Sequence, residues 1–175
     1  MRSLFFTLLI LSFLASCSAV YAQTKQPDER TLFSQSVTDL PAVDKVEIFA
    51  VEGIRTNRKD IDCTQPDIVC SMISGKILAS KTLSGEDANK IADLWRDLRN
   101  GNGAACFAAA YVLRFYQNDK LLLVTDVCFH CCNVTLPGTG IRSICGDREA
   151  FVSFKDLVTT ELPFPKLETK EPDLR

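Results

Sequence analysis

Three of the chain's eight cysteines and its only histidine fall within five residues, Cys128-Phe129-His130-Cys131-Cys132. No other stretch restricts the fold as strongly, because sulfur cross-links, ligates or reacts, and each option asks for a different backbone. An extended backbone places Cys128, His130 and Cys132 on one face and Phe129 and Cys131 on the other. A zinc knuckle on Cys128 and Cys131 needs both sulfurs aimed at one point, which a regular strand forbids and a turn at Phe129-His130 permits. The redox use of Cys-x-x-Cys normally opens a helix whose N-terminus lowers the thiol pKa, whereas Asn133-Val134-Thr135-Leu136-Pro137-Gly138 reads as strand and turn. Thiol-redox chemistry is therefore the weakest of the three.

The residues leading into this stretch form a hairpin pattern. Tyr111 to Tyr116 and Leu121 to Val127 are apolar-rich runs separated by Gln117-Asn118-Asp119-Lys120, a turn signal between two strands. Continuous pairing sets Tyr116 opposite Leu121, Leu113 opposite Val124, Ala109 opposite Cys128 and Cys106 opposite Cys131. Non-hydrogen-bonded partners in such a ladder have Cα atoms about 4.5 Å apart, at the short end of the disulfide window. A bulge would move the partner of Cys106 to His130 or Cys132. Asp126 faces Tyr111 in this register, as a polar pair at a sheet margin.

Beyond Cys17, seven cysteines remain: Cys63, Cys70, Cys106, Cys128, Cys131, Cys132 and Cys145. An odd number cannot all pair internally, so one is a thiol, a ligand or a bridge to another molecule. Cys63 and Cys70 flank a short polar loop and are the easiest pair. Cys131 and Cys132 point to opposite faces of a strand and take different partners. Cys145 comes after the Pro137-Gly138-Thr139-Gly140 turn and returns to Cys132 or Cys128. The disulfide candidates are thus Cys63, Cys70, Cys106, Cys131, Cys132 and Cys145. The competing metal reading uses Cys106, Cys128, His130, Cys131 and Cys132, a soft sulfur and nitrogen set suited to zinc or copper, with Cys145 as a further donor.

Around this centre the chain reads as a small α+β domain, with a mostly antiparallel sheet of about four to five strands and two helices. Val46 to Gly53 is a first strand and Lys76 to Thr82 a second, with a turn-rich insertion between them. Ser84 is placed as an N-cap with Asp87 three residues on, and Ala88, Ile91, Trp95 and Leu98 form one apolar face ended by Gly101. Trp95 is read as the anchor that packs this helix on the sheet. Ser153 and Asp156 are placed to open a closing helix bearing Leu157, Val158 and Leu162.

The N-terminus is a targeting segment. Arg2 precedes an apolar run, Leu4 to Leu14, too short to span a bilayer comfortably. Leu14-Ala15-Ser16-Cys17 resembles the lipobox of bacterial lipoproteins. The resemblance implies cleavage before Cys17, acylation of that residue and a membrane anchor made of lipid chains. Ser18, in place of Asp, implies an outer-membrane lipoprotein facing the periplasm. Cleavage after Val20-Tyr21-Ala22 is the competing reading and gives a soluble secreted or periplasmic protein. The expected organisation is a signal peptide over 1–16, a flexible tether over 17–40, a folded domain over 41–162 and a disordered tail over 163–175. Either form of export puts the cysteines where oxidation is allowed.

With 46% hydrophobic and 24% charged residues the chain has enough apolar surface to bury a core. A net charge of -2 supplies no basic field for a polyphosphate backbone, so nucleic acid is not an expected partner. No Gly-x-Ser-x-Gly, His-Glu-x-x-His or phosphate-cradling glycine loop occurs, and a single histidine leaves little for acid–base catalysis. Leu83-Ser84-Gly85-Glu86-Asp87-Ala88, Cys106, Leu113-Arg114-Phe115 and Val127-Cys128-Phe129-His130-Cys131 together resemble a group of small bacterial domains with a Cys, hairpin, Cys-x-x-Cys layout. That resemblance covers about residues 41 to 162 and carries no activity with it. The expectation is a non-catalytic, lipid-anchored envelope protein without a cofactor, with the metal module and the thiol-redox protein as rivals. Asn133-Val134-Thr135 is a glycosylation sequon only in a eukaryotic setting.

Overall fold

The computed structural model describes residues 28–53, 61–72, 75–102 and 107–166. The segment 1–16 expected to be a signal peptide, Cys17, Cys106 and the end of the expected tail, 167–175, lie outside the described residues. The elements in chain order are α1 Glu29–Ser36, β1 Lys45–Gly53, β2 Ile68–Val69, β3 Gly75–Ser84, α2 Glu86–Asp97, β4 Tyr111–Gln117, β5 Lys120–Cys128, β6 Asn133–Leu136, β7 Gly140–Ser143 and α3 Arg148–Glu161. The strands make one antiparallel sheet in the order β2-β3-β1-β4-β5-β6-β7. The α+β class with an antiparallel sheet holds; the described residues carry seven strands and three helices where about four to five and two were expected. The strands beyond those expected, β2 and β7, are two and four residues long, at or below the shortest run in which alternation is readable.

Alternation along β1 puts Val46, Ile48 and Ala50 on one face, fully buried with Leu113 and Phe115 of β4. The apolar stripe of α2, Ala88, Ile91, Ala92 and Trp95, and that of α3, Phe151, Phe154 and Val158, cover this face and pack on each other. Trp95 is fully buried, with Phe115 at 5.4 Å and Phe154 at 5.6 Å between ring centroids. Burying a side chain of that size removes some 200 Å² from water, roughly 5 kcal/mol before the cost of ordering it. No described helix is long and apolar enough to cross a membrane.

The tether expected over 17–40 is corrected from residue 28 onward. Asp28 caps α1 by accepting from Thr31 N at 2.8 Å, a bond that holds its carboxyl below the ordinary range. Phe33, Val37 and Leu40 are buried in the main core. Trp95 Nε1 donates to Ser36 O at 2.9 Å, and Arg96 donates to Leu40 O and Pro41 O at 2.9 and 2.6 Å. Arg30, Thr31 and Gln35 are the exposed side of this amphipathic helix.

The helix caps differ from expectation too. Ser84 is the last residue of β3, and Gly85, at φ 60°, turns the chain into α2 in a conformation that disfavours any Cβ. Asp147 caps α3 through Glu149 N and Ala150 N, which leaves Ser153 inside the helix. In the hairpin, Asn118 and Asp119 at φ 49° and 60° form the two-residue turn. A bulge between Phe115 and Tyr116 moves the remaining register by one, so Leu113 pairs with Thr125 and Asp126 faces Val112. The expected tail is tied down over 163–166, where the Phe164 ring lies 5.9 Å from that of Tyr111.

Candidate functional site

The cysteine stretch is a turn. Strand β5 ends at Cys128, which pairs with Asn133 at the start of β6, and Phe129 to Cys132 close the loop between them. Cys132 takes φ 56°, a left-handed conformation uncommon for a side chain of this type. The expectation of Cys128, His130 and Cys132 in a row on one face is thereby overturned. A strand must alternate, and this segment stops being a strand one residue after Cys128.

Each residue of the turn has a distinct environment. Phe129 wedges onto the core, with Tyr111, Phe154 and Phe151 at 5.4, 5.9 and 6.2 Å. His130 is exposed while Cys128 and Cys131 are buried. The amide of Cys131 donates to the Cys128 sulfur at 3.2 Å. Cys132 is bonded to Cys145, with Cα atoms 5.6 Å apart, and Ile144 N donates to Cys132 O at 2.9 Å. Cys145 in turn lies beside Arg99 in a parallel bridge, so the turn is fastened to the chain leaving α2.

This arrangement sorts the candidates. Cys63 and Cys70 form the second disulfide, across 5.7 Å. Cys132 and Cys145 are committed to each other and Cys128 keeps a thiol. Of the proposed metal donors, Cys132 has its sulfur in a bridge, His130 stands on the solvent side and Cys106 lies outside the described residues. Cys128 and Cys131 share the turn that a knuckle would use. Cys131 leads through Cys132 directly into β6, a strand, whereas a redox Cys-x-x-Cys opens a helix.

A second site, on the face of the sheet away from α2 and α3, has no counterpart among the sequence expectations. Asp126 is fully buried there, and Ser71 Oγ donates to its Oδ1. Thr135 Oγ1 donates to Asp126 Oδ2 at 2.7 Å and accepts from Asp126 N at 2.9 Å. The Cys63–Cys70 loop delivers Ser71 and seats Val69 against Val51 and Val112. Beside this network opens a cleft of about 320 Å³ lined by Cys70, Ser71, Met72, Val124, Thr135 and Pro137. The readable signal is an aspartate inside an otherwise apolar strand, which requires hydrogen-bonding partners when buried. Tyr111, expected opposite Asp126, instead donates its hydroxyl to Leu162 O at 3.0 Å, and burial raises its pKa.

The polar pattern beyond the cleft is surface chemistry. Tyr116 OH donates to Glu47 Oε2 at 2.7 Å, and Arg114 lies over the Phe49 ring at 5.0 Å. Asn133 and Thr135, the ends of the sequon, are both buried in β6, so the folded chain offers no acceptor there.

No family model matches the chain, and neither a curated protein nor a solved structure does.

Proposed function

We propose that the chain is an exported, non-catalytic envelope protein, held on a membrane through an acylated Cys17, whose disulfides keep its domain closed. The observation that carries this reading is the pair of intrachain bridges, Cys63–Cys70 and Cys132–Cys145. Such bonds persist in oxidising compartments and are rare in a reducing cytosol. The apolar run ending in Leu14-Ala15-Ser16-Cys17 supplies both an export signal and an attachment point. A structural role is supported by where the reactive groups go: four sulfurs into cross-links, the Cys128 sulfur under a turn, and the single imidazole into solvent.

The test is the mass of the mature protein and its behaviour on fractionation. The reading requires a chain beginning at acylated Cys17 that sediments with membranes, and a Cys17→Ala variant that carries no lipid. A mature chain beginning at Gln23, unacylated and soluble, would overturn it.

A further inference from the structure

The geometry points to the β6–β7 end of the sheet as the surface that rests on the lipid bilayer, an inference that rests on the reading of Cys17 as the acylated residue. Helix α1 enters the domain at this end. Leu32 packs on the β6–β7 turn, where a Cβ on Gly138 would stand 3.1 Å from Leu32 Cδ1. The cap Asp28 is one helical turn earlier, about 6 Å along the axis.

Only residues 18–27 separate that cap from Cys17, and a stretch of that length spans at most about 36 Å in any conformation. A unit of roughly 140 residues is itself about 37 Å across, and a path over its surface to the opposite pole runs to about 58 Å. The pole opposite the entry of α1 is therefore out of reach of the bilayer while the acyl chains are inserted. The end that α1 enters is within reach.

The side chains at that end suit an interface. Thr135 pairs with Ile141, which puts Ile141 on the same face as the cleft bordered by Met72, Val124 and Pro137. Leu121 comes after Lys120 at the start of β5, two strands away from Ile141. Met72, Leu121 and Ile141 are 40%, 47% and 44% exposed, three of the five large apolar side chains that the described residues leave in solvent. Apolar side chains of this kind, with a lysine beside them, enter the headgroup region to about 5–10 Å, and the cation meets anionic headgroups.

The experiment uses the acylated full chain in vesicles of phosphatidylethanolamine and phosphatidylglycerol with brominated acyl chains. Tryptophan is introduced by Ile141→Trp or Met72→Trp at the proposed contact, and by Val152→Trp, exposed on α3, as the reference. Trp95 is fully buried and contributes the same background to each. The inference requires at least about twofold stronger quenching for either rim variant than for Val152→Trp, as shallow insertion implies. Equal quenching of all three in protein that floats with the vesicles overturns the bilayer contact and leaves the anchor intact. Protein that lacks acyl groups and does not float overturns the anchor and this inference together.

Discussion

Gly101 and Gly146 cross so closely that neither has room for a side chain. A Cβ on Gly101 would lie 2.4 Å from Gly146 N, and one on Gly146 would lie 2.3 Å from Asn100 O. Gly146 N donates to Arg99 O at 2.9 Å, so the crossing sets where Cys145 meets Cys132.

Gly146→Ala must therefore displace backbone, and overpacking of this kind costs about 1–3 kcal/mol. Gly53→Ala is the matched control, since nothing lies within 4 Å of its Cβ position, and its cost should stay within about 0.5 kcal/mol. Urea denaturation of both variants checks the contrast; equal midpoints would mean that the crossing relaxes freely.

Peptide mapping without reduction should recover Cys63 linked to Cys70 and Cys132 linked to Cys145. The same map tests the expected Cys106–Cys131 link. Cys128, buried and thiol-bearing, should be alkylated in denaturant and protected in the native protein. Replacing Cys132 and Cys145 together by Ser should cost about 3 kcal/mol, and the Cys63 and Cys70 pair about 2, on chain entropy alone. Rapid native alkylation of Cys128 would contradict its placement under the turn.

Removing the indole hydrogen bond tests the attachment of α1. Trp95→Phe keeps most of the packing against Phe115 and Phe154 but deletes the donor to Ser36 O. The cavity and the unpaired carbonyl together imply a loss of about 1–3 kcal/mol. Amide exchange over Glu29–Ser36 should accelerate more than exchange in β4.

Thr135→Val removes a donor and an acceptor from buried Asp126 at once and should destabilise by about 2 kcal/mol. Thr135→Ser keeps the hydroxyl and should recover more than half of that loss. Equal stability of the two variants would show that losing the methyl group costs as much as losing the hydroxyl at this position.

The pair Lys45 and Asp119, 2.7 Å apart at the hairpin turn, gives a pH signature. The hydrogen bond to Lys45 lowers the Asp119 pKa below its ordinary 3.8, and the same bond raises that of Lys45 above 10.5. Its stabilisation is thus present across neutral pH, lost as pH falls through the depressed carboxyl value, and lost again as pH rises through the raised amine value. Asp119→Asn should fall below wild type near pH 7 at low ionic strength and converge with it below pH 3.8 and above pH 10.5. Added salt should shrink the gap, because Asp119 is exposed.

Much of this architecture is legible where a residue type answers to one physical demand. Asn118-Asp119 suits a turn with two left-handed residues, Trp95 has a size that needs a core, and Cys63 and Cys70 are close enough in sequence to meet. Phe33, Val37 and Leu40 also hold a helical spacing behind an Asp28 cap, and charged neighbours mask that signal. The bulge at Phe115/Tyr116 is not legible, since it answers to sheet twist and not to any one side chain. Nor is the turn at Cys128, which depends on a left-handed Cys132 that the bridge to Cys145 holds in place. The Ser71–Asp126–Thr135 network joins residues brought together only when the insertion folds back over the sheet.

Strand β1 lies at the interior of the sheet, between β3 and β4. Its pairing of Lys45 with Tyr116 joins residues about seventy apart in sequence, so synthesis from the N-terminus delivers β1 long before its second neighbour exists. Until β4 arrives, β1 presents a raw edge of unpaired amides and carbonyls, and the nascent chain is most prone to mispairing and aggregation in that interval.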